Sequence, residues 1–503
     1  MEMPLGQNRF DSFATILVLI ALSSLFLIAA IGPVRSTLLN FIPDDAFYYF
    51  ELARRMALGQ GPTVDGINRT NGYHPLWLLV LLPFGSMMNV SREIGLRFAM
   101  TLGIFMLAAA VFIMRTVAAR LVPNHTSLAL LVPASALTFA AIYGLESPLA
   151  AFLLSVMLWQ IARFEKSQNI KSAVAVGLFA GLLVLARLDS AVYVLALDLS
   201  WAASLWRTNP AESCRRSLNC WIVCLLVQTI VVTPYLAFNL IAFGHLLPIS
   251  AMLKSERTSG PNIVWARSLL ALIAIAGLSI GLIASWLQPG VRKKIVWQTA
   301  LMGSASILIV NLIAGGPESY SWYFTLPVLC TGLFASVTAN WFVAKRFVVL
   351  TYGCALLACG AILAFSIRGR FSEPQFASRW DRAKWIAAHA PPEAIFAEGN
   401  CGILGYISEH SFINLDGLTN SFSYQKAVRE NQVASWLKEA GVNAAARPAS
   451  ETMEPLNDGL YRKVVFARAD VQRQILLTLG PWDSSKPDSE YRLWRILNID
   501  SHR

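Results

Sequence analysis

The chain has 503 residues, of which 55% are hydrophobic and 14% charged, and its mean hydropathy is +0.53. Soluble globular proteins carry about 25% charged residues, so the composition excludes a disordered chain, a coiled coil and an ordinary cytosolic enzyme, and it points to a polytopic membrane protein. The net charge of +11 is uneven: residues 1–367 hold 24 Lys and Arg against 14 Asp and Glu, and residues 368–503 hold 17 against 16. Basic loops at one membrane face explain this better than a nucleic-acid footprint, and no nucleic-acid partner is expected.

In chain order, Ser12–Pro33 is long enough to span and reads as an uncleaved transmembrane helix. The first external loop, 34–93, contains the apolar run Pro75–Met88, which is short for a span and suits a helix at the interface. Further runs at 94–118, 126–144, 147–163, 172–188, 189–206, 217–243, 263–286, 295–315, 320–340 and 345–367 bring the expectation to about 11 transmembrane helices. Alternate loops carry Arg120, then Arg163 with Lys166 and Lys171, then Arg207 with Arg215 and Arg216, then Arg292 to Lys294, then Lys345 with Arg346. The connections 143–148 and 315–320 carry no Lys or Arg. The positive-inside rule therefore predicts the N-terminus inside and the first loop and C-terminal region outside.

Residues 368–503 change in composition. Arg379–His389 reads as a helix ending before Pro391, Ala394–Glu398 as a strand and Gly399–Gly405 as a turn into a short helix. Ser411–Leu415 reads as a strand, and Ser423–Ala440 as one amphipathic helix with Gly441 just past its end. Tyr461–Ala467 and Tyr491–Leu497 complete a small α/β domain, giving two domains, 1–367 and 368–503. Six of the seven cysteines lie in or beside apolar runs and Cys401 lies in the polar part, so no disulfide framework or zinc spacing is expected.

The densest polar cluster lies in the first loop. Asp44 and Asp45 precede an aromatic helical segment, Ala46–Leu58, expected to lie on the membrane surface. Adjacent carboxylates repel, which can raise one pKa into the range of a general base; the alternative is an N-terminal helix cap. Asn71, Tyr73 and His74 bring polar and aromatic groups to the start of the interfacial run. Arg97, Glu146, Arg187, Asp189 and Asp198 sit in apolar runs or at their boundaries, where ionisable groups are costly. Lys254 and Arg257 are basic on the side expected to be poor in positive charge, where a lipid phosphate would give them a purpose. Tyr320 and Trp322 could stack on a sugar or an isoprenoid, or anchor the interface.

These residues carry a resemblance. Asp44-Asp45-Ala46-Phe47-Tyr48-Tyr49-Phe50, Gly59-Gln60-Gly61 and Asn71-Gly72-Tyr73-His74-Pro75-Leu76-Trp77 resemble the first periplasmic loop of GT-C glycosyltransferases, in particular mycobacterial-type arabinofuranosyltransferases and related bacterial membrane enzymes. Gly144-Leu145-Glu146-Ser147, Leu247-Pro248 with Lys254, and Gly402 to Tyr406 with Asn414-Leu415-Asp416-Gly417-Leu418 are similar to further family segments. Two positions depart from the pattern. Ala186-Arg187-Leu188-Asp189 stands where a Thr-Arg-Pro segment is common, and Ile249 stands where Asn is usual.

The resemblance implies a multi-pass enzyme of the bacterial cytoplasmic (inner) membrane with a periplasmic C-terminal domain. It would move a sugar, with inversion, from a polyprenyl-phosphate donor to a cell-envelope acceptor. Asp44 would be the base with Asp45 as its substitute; His74, Tyr73, Asn71, Arg97, Lys254, Tyr320 and Trp322 would bind the donor. Glu146 would form a second acidic site, and Asn414 and Asp416 would serve the acceptor. A divalent metal (Mg, Mn or Ca) near Asp44 and Glu146, or cationic side chains instead, would balance the leaving phosphate. The rival readings are a transporter or flippase of a lipid-linked substrate and a non-catalytic sensor.

Overall fold

The computed structural model describes residues 5–122, 126–207, 211–255, 268–314, 320–344, 347–371, 376–448, 450–451, 453–456, 461–468, 473–481 and 491–502. The apolar runs are built on helices, because in hydrocarbon every backbone polar group must be satisfied within its own segment. The helices are α1 (Leu5–Ile31), α2 (Asp44–Ala57), α3 (Pro75–Leu81), α4 (Gly85–Val90), α5 (Arg92–Leu121), α6 (Leu128–Leu137), α7 (Ser147–Ser167) and α8 (Ile170–Ala186). They continue as α9 (Ala191–Leu205), α10 (Ala211–Phe243), α11 (Ile249–Ser255), α12 (Leu269–Leu287), α13 (Pro289–Arg292), α14 (Ile295–Ala314), α15 (Thr325–Ala344) and α16 (Val348–Phe371). Among the described residues seven helices are long and apolar enough to cross a membrane, and α6, α8, α14 and α16 supply shorter apolar stretches. Large apolar side chains such as Ile31, Phe105, Ile241, Trp286 and Leu357 point outward and exposed, as lipid-facing positions require of an integral membrane protein.

Three local expectations change. The predicted span 126–144 is helical only to Leu137; Pro133 lies inside that helix, and 138–146 continues as buried, irregular chain. That stretch is held by side chains: the Tyr143 hydroxyl donates to the Thr138 carbonyl, and Trp77 Nε1 donates to the Gly144 carbonyl at 2.9 Å. Gly144 has φ +79°, and a Cβ there would meet the Phe50 ring at 2.7 Å. The interfacial run is split into α3 and α4 by a 3₁₀ turn at Leu82–Phe84, which contains Pro83. Finally, the apolar side of α2 packs against protein rather than standing open to a membrane. Phe47 and Phe50 are fully buried, and Glu51, 1% exposed, is neutralised by Arg54 and Arg55 at 2.5 and 2.6 Å.

What covers α2 is the C-terminal region. There α17 (Ala377–His389) precedes β1 (Ile395–Glu398), α18 (Gly402–Ser408), β2 (Ser411–Asn414), α19 (Phe422–Arg429), α20 (Val433–Glu439), β3 (Ala444–Pro448), β4 (Glu454–Pro455), β5 (Tyr461–Arg468), β6 (Arg473–Pro481) and β7 (Tyr491–His502). The strands form one sheet in the order β2-β1-β3-β7-β6-β5-β4. β2, β1 and β3 are parallel, with Ile395 opposite Ser411, and the other pairs are antiparallel. The single amphipathic helix expected over Ser423–Ala440 is two helices. Asn431 adopts φ +59°, and the Gln432 N–H closes back on the Ala427 carbonyl, a left-handed C-terminal motif that Asn tolerates without a glycine.

α18 packs on α2. The Tyr406 ring, fully buried, lies 5.8 and 5.7 Å from Phe47 and Phe50. Its hydroxyl donates to the Arg92 carbonyl. The approach is close: a Cβ on Gly402 would lie 2.3 Å from the Asp44 carbonyl oxygen, and one on Gly72 would lie 1.9 Å from that of Leu418.

Candidate active site

Two polar networks sit where the first loop meets its neighbours. The first joins α2 to the C-terminal sheet. Pro43 sets the entry to α2, so Asp44 and Asp45 occupy its first turn, where carboxylates complement the helix dipole. Asp44 is 5% exposed. Its Oδ2 accepts the Gly402 N–H at 3.0 Å and its Oδ1 the Ile403 N–H at 3.1 Å, so it satisfies the open N-terminus of α18; Arg379 Nη1 lies 3.5 Å from Oδ1. The Tyr48 hydroxyl accepts the Cys401 N–H at 2.9 Å and an Asn414 Nδ2 hydrogen at 2.8 Å. Asp416 Oδ2 accepts the Asn400 N–H at 2.6 Å and lies 3.3 Å from Asn414 Nδ2. Asn414 and Asp416 thus stand beside Asp44, some 370 residues away in sequence.

Burial pushes the Asp44 carboxyl up to about 6, against the opposing pull of Arg379 and of the two backbone N–H groups. Burial also drives the Tyr48 hydroxyl and the Cys401 thiol well up, so both stay protonated. Because the unfolded value for Asp44 is 3.8, the native protein keeps a proton that the unfolded chain has already lost. This stabilising contribution is full below about pH 3.8 and is lost as pH rises through about 6, an effect of roughly 3 kcal/mol. Thermal unfolding followed from pH 4 to 7 should therefore fall more steeply in the wild type than in Asp44→Asn, which cannot titrate. Equal slopes in the two proteins would remove Asp44 as the titrating group.

The second network converges on Glu146, which is 4% exposed at the entrance to α7. Arg187, at the end of α8, places Nη1 3.2 Å from Glu146 Oε1, 2.9 Å from Ser147 Oγ and 3.1 Å from the Trp322 carbonyl. The same guanidinium holds Asp189 in a two-point pair, at 2.8 and 3.0 Å, and its carbon lies 5.3 Å from the centre of the Tyr323 ring. His74 Nε2 lies 3.8 Å from Glu146 Oε1, and His74 Nδ1 accepts the Leu188 N–H at 3.3 Å, which leaves the ring proton on Nε2. The Tyr49 hydroxyl accepts the His74 N–H and hydrogen-bonds Glu146; burial and the Glu146 charge hold it protonated. Tyr320 and Trp322 stack at 4.3 Å with planes 4° apart beside this network.

The candidate residues thus divide. His74, Glu146, Tyr320 and Trp322 gather in the second network; Asp44, Asn414 and Asp416 gather in the first, with Asp45, half-buried, beside them on α2. Asn71, fully buried, is held elsewhere: its Oδ1 accepts the Ile249 N–H and its Nδ2 donates to Asn239, bracing the chain ahead of α11. Tyr73 is buried near Tyr235 and Arg69. Arg97 donates to the carbonyls of Ala29, Ala30 and Gly32 and so closes the C-terminus of α1 rather than facing a ligand. Lys254 belongs to α11, and its side chain lies outside the described residues, as does Arg257.

Asp189 and Tyr49 join the second network although the sequence assigned them no part in the reaction, and Arg187 organises it. Arg187 and Asp189, two charges between apolar runs, form the local ion pair that their spacing allows; that Arg187 also reaches Glu146 required the fold. Among the described residues no group of three or more His, Cys, Asp and Glu could hold a metal ion. Asp44 and Glu146 do not fit a shared cation: the oxygens of Asp44 accept backbone N–H groups, and Glu146 is neutralised by Arg187.

The architecture is a polytopic helical body whose first loop docks on a C-terminal mixed α/β region. The crystal structure of ArnT from Cupriavidus metallidurans bound to undecaprenyl phosphate is similar over 94% of this chain and 99% of that one, with a TM-score of 0.58 and 13% identity. The same protein in the apo state is similar over 87% and 93%, with a TM-score of 0.54 and 13% identity. At that identity the likeness shows the fold. Residues 367–483 match a family described as a domain of unknown function, DUF8728. No curated protein is a significant match.

Proposed function

We propose that this protein is a membrane glycosyltransferase that takes a sugar from a polyprenyl-phosphate donor and transfers it, with inversion, to a cell-envelope acceptor on the outer side of the bacterial inner membrane. The observation that carries the proposal is the near-complete overlap with the fold of ArnT, whose crystal structure holds undecaprenyl phosphate, together with two buried carboxylate networks around the first loop. In the orientation that the loop charges predict, those networks lie outside.

The base is Asp45. A pKa near 6 would suit Asp44 for that role, but both of its oxygens accept N–H groups from α18 and it is almost wholly enclosed. Asp45, on the same turn, is the more exposed carboxylate of the pair. It takes the hydroxyl proton while the oxygen bonds to the anomeric carbon. The bond from that carbon to the phosphate oxygen breaks, and polyprenyl phosphate leaves with its electrons. The cation for the phosphate charge is the one the resemblance assigns to the donor, Lys254. His74, held in place by Glu146 and Tyr49, offers a hydrogen-bonding ring to the sugar hydroxyls, and the Tyr320–Trp322 stack offers an aromatic face.

The test is turnover. The protein in lipid is offered a panel of labelled polyprenyl-phosphate sugars with cell-envelope extract as acceptor, and release of polyprenyl phosphate is followed. Turnover of one donor supports the reading and identifies the sugar. A folded protein that neither binds nor turns over any donor overturns it in favour of a transporter or sensor.

A further inference from the structure

The side of the molecule far from these networks carries a site of its own. α7 starts beside Glu146, and its 21 residues take the chain roughly 30 Å away at 1.5 Å per residue before it ends at Ser167. α8 begins there and returns to Arg187. Between the end of α7, the start of α8 and the first turns of α10 lies an open cleft of about 550 Å³, lined among others by Gln168, Asn169, Ile170, Arg215, Arg216 and Asn219.

We propose that this cleft binds the phosphate headgroup of an anionic membrane lipid. Arg215 and Arg216 stand exposed at its wall, and among the described residues neither makes an ion pair, whereas Arg54, Arg55 and Arg187 are each matched to a carboxylate. Guanidinium groups bind phosphate oxygens in pairs. Gln168, at φ +45°, turns the chain so that α8 opens toward the cleft, and Asn169 takes the Ser172 N–H at 2.9 Å; the dipole of this 17-residue helix adds positive potential to that of the arginines. The walls are held in place deeper in the membrane. A Cβ on Gly177 would meet the Cys224 carbonyl at 2.5 Å and one on Gly181 the Val231 Cβ at 2.7 Å, so α8 lies against the α10 backbone at Gly177 and against the Val231 side chain at Gly181.

The neighbouring surface favours a lipid over a free phosphate ion. Ile170 and Val174 on α8 and Leu218 and Ile222 on α10 are 56%, 40%, 39% and 44% exposed, so acyl chains have an apolar surface directly adjoining the arginines. Trp206, 93% exposed, adds an aromatic interface anchor. A basic recess between transmembrane helices at the cytoplasmic face, where the loop charges put this end, is where anionic headgroups bind.

The test is native mass spectrometry of the full chain in detergent, titrated with phosphatidylglycerol or phosphatidylcholine. Three proteins are compared: the wild type, Arg215→Gln/Arg216→Gln, and a control, Arg292→Gln/Lys293→Gln, on another loop of the same face. All the substituted side chains are exposed, so all three proteins should fold, and their melting curves verify it. The wild type and the control should prefer phosphatidylglycerol by roughly tenfold or more, and the arginine variant should lose that preference. An unchanged preference in the arginine variant, or an equal loss in the control, overturns the site. Displacement of the bound lipid by millimolar inorganic phosphate would assign the cleft to a free anion and overturn the lipid source.

Discussion

Asp45→Asn should lower the rate of sugar transfer by roughly 10²- to 10⁴-fold, the usual contribution of a positioned base, while leaving the melting temperature near that of the wild type. The substitution keeps the size of a half-buried side chain and removes its ability to accept the proton. Donor binding should persist, because the acceptor hydroxyl, and not the donor, meets this group. Asp44→Asn should behave differently. The amide offers one acceptor where the carboxylate offers two, so either Gly402 or Ile403 loses its partner and the docking of α18 loosens. Its signature is a changed pH dependence of stability. The measurement is release of polyprenyl phosphate beside a melting curve for each variant. Full turnover by Asp45→Asn together with loss of turnover in a folded Asp44→Asn would return the base to Asp44.

Arg187→Met should be the more damaging change to the fold. Methionine fills much of the same volume but leaves Glu146 buried without its cation and Asp189 without its two-point partner. Breaking a buried pair by removing one member costs about 3–5 kcal/mol, because the remaining charge stays desolvated. Arg187→Lys should recover part of this, since an ammonium can face Glu146 but cannot also reach Ser147, Asp189 and the Trp322 carbonyl in the geometry of a planar fork. Arg187→Met/Glu146→Gln removes the stranded charge and should be more stable than Arg187→Met alone. Melting temperatures of the four proteins in one detergent decide this, and a double variant no more stable than the single one would show that Glu146 does not depend on Arg187. Where the double variant is well folded, its transfer rate reports what the network itself contributes to the reaction.

Much of the fold was legible because it depends on local length and polarity. Apolar runs of about 20 residues become helices wherever they sit, and Gly441 ends α20 by the left-handed turn that its position suggests. Errors arose where a neighbour decided. Pro133 and the irregular 138–146 stretch shorten a predicted span, and that stretch is sustained by Tyr143 and Trp77 rather than by helical hydrogen bonds. β3, β4 and β6 lie outside the strands expected from the sequence: β3 is the Ala-rich Ala444–Pro448, which is weak strand material by itself and persists because β1 and β7 flank it.

The candidate site divides on the same principle. Residue type and spacing alone marked Asp44, Asp45, His74, Glu146, Tyr320 and Trp322, because polar and aromatic groups concentrated beside long apolar runs are costly to place without a purpose. Sequence alone also determined that the chain is a multi-helix membrane protein with a polar C-terminal domain. The tertiary structure decided which atoms those groups meet. It made Asp44 the cap of α18, turned Arg97 onto the end of α1, set Asn71 to brace the chain before α11, and put one arginine between Glu146 and Asp189. A side chain's chemistry is local, but the free energy of burying it depends on partners that lie tens to hundreds of residues away, and those are brought within hydrogen-bonding distance only by the packed fold.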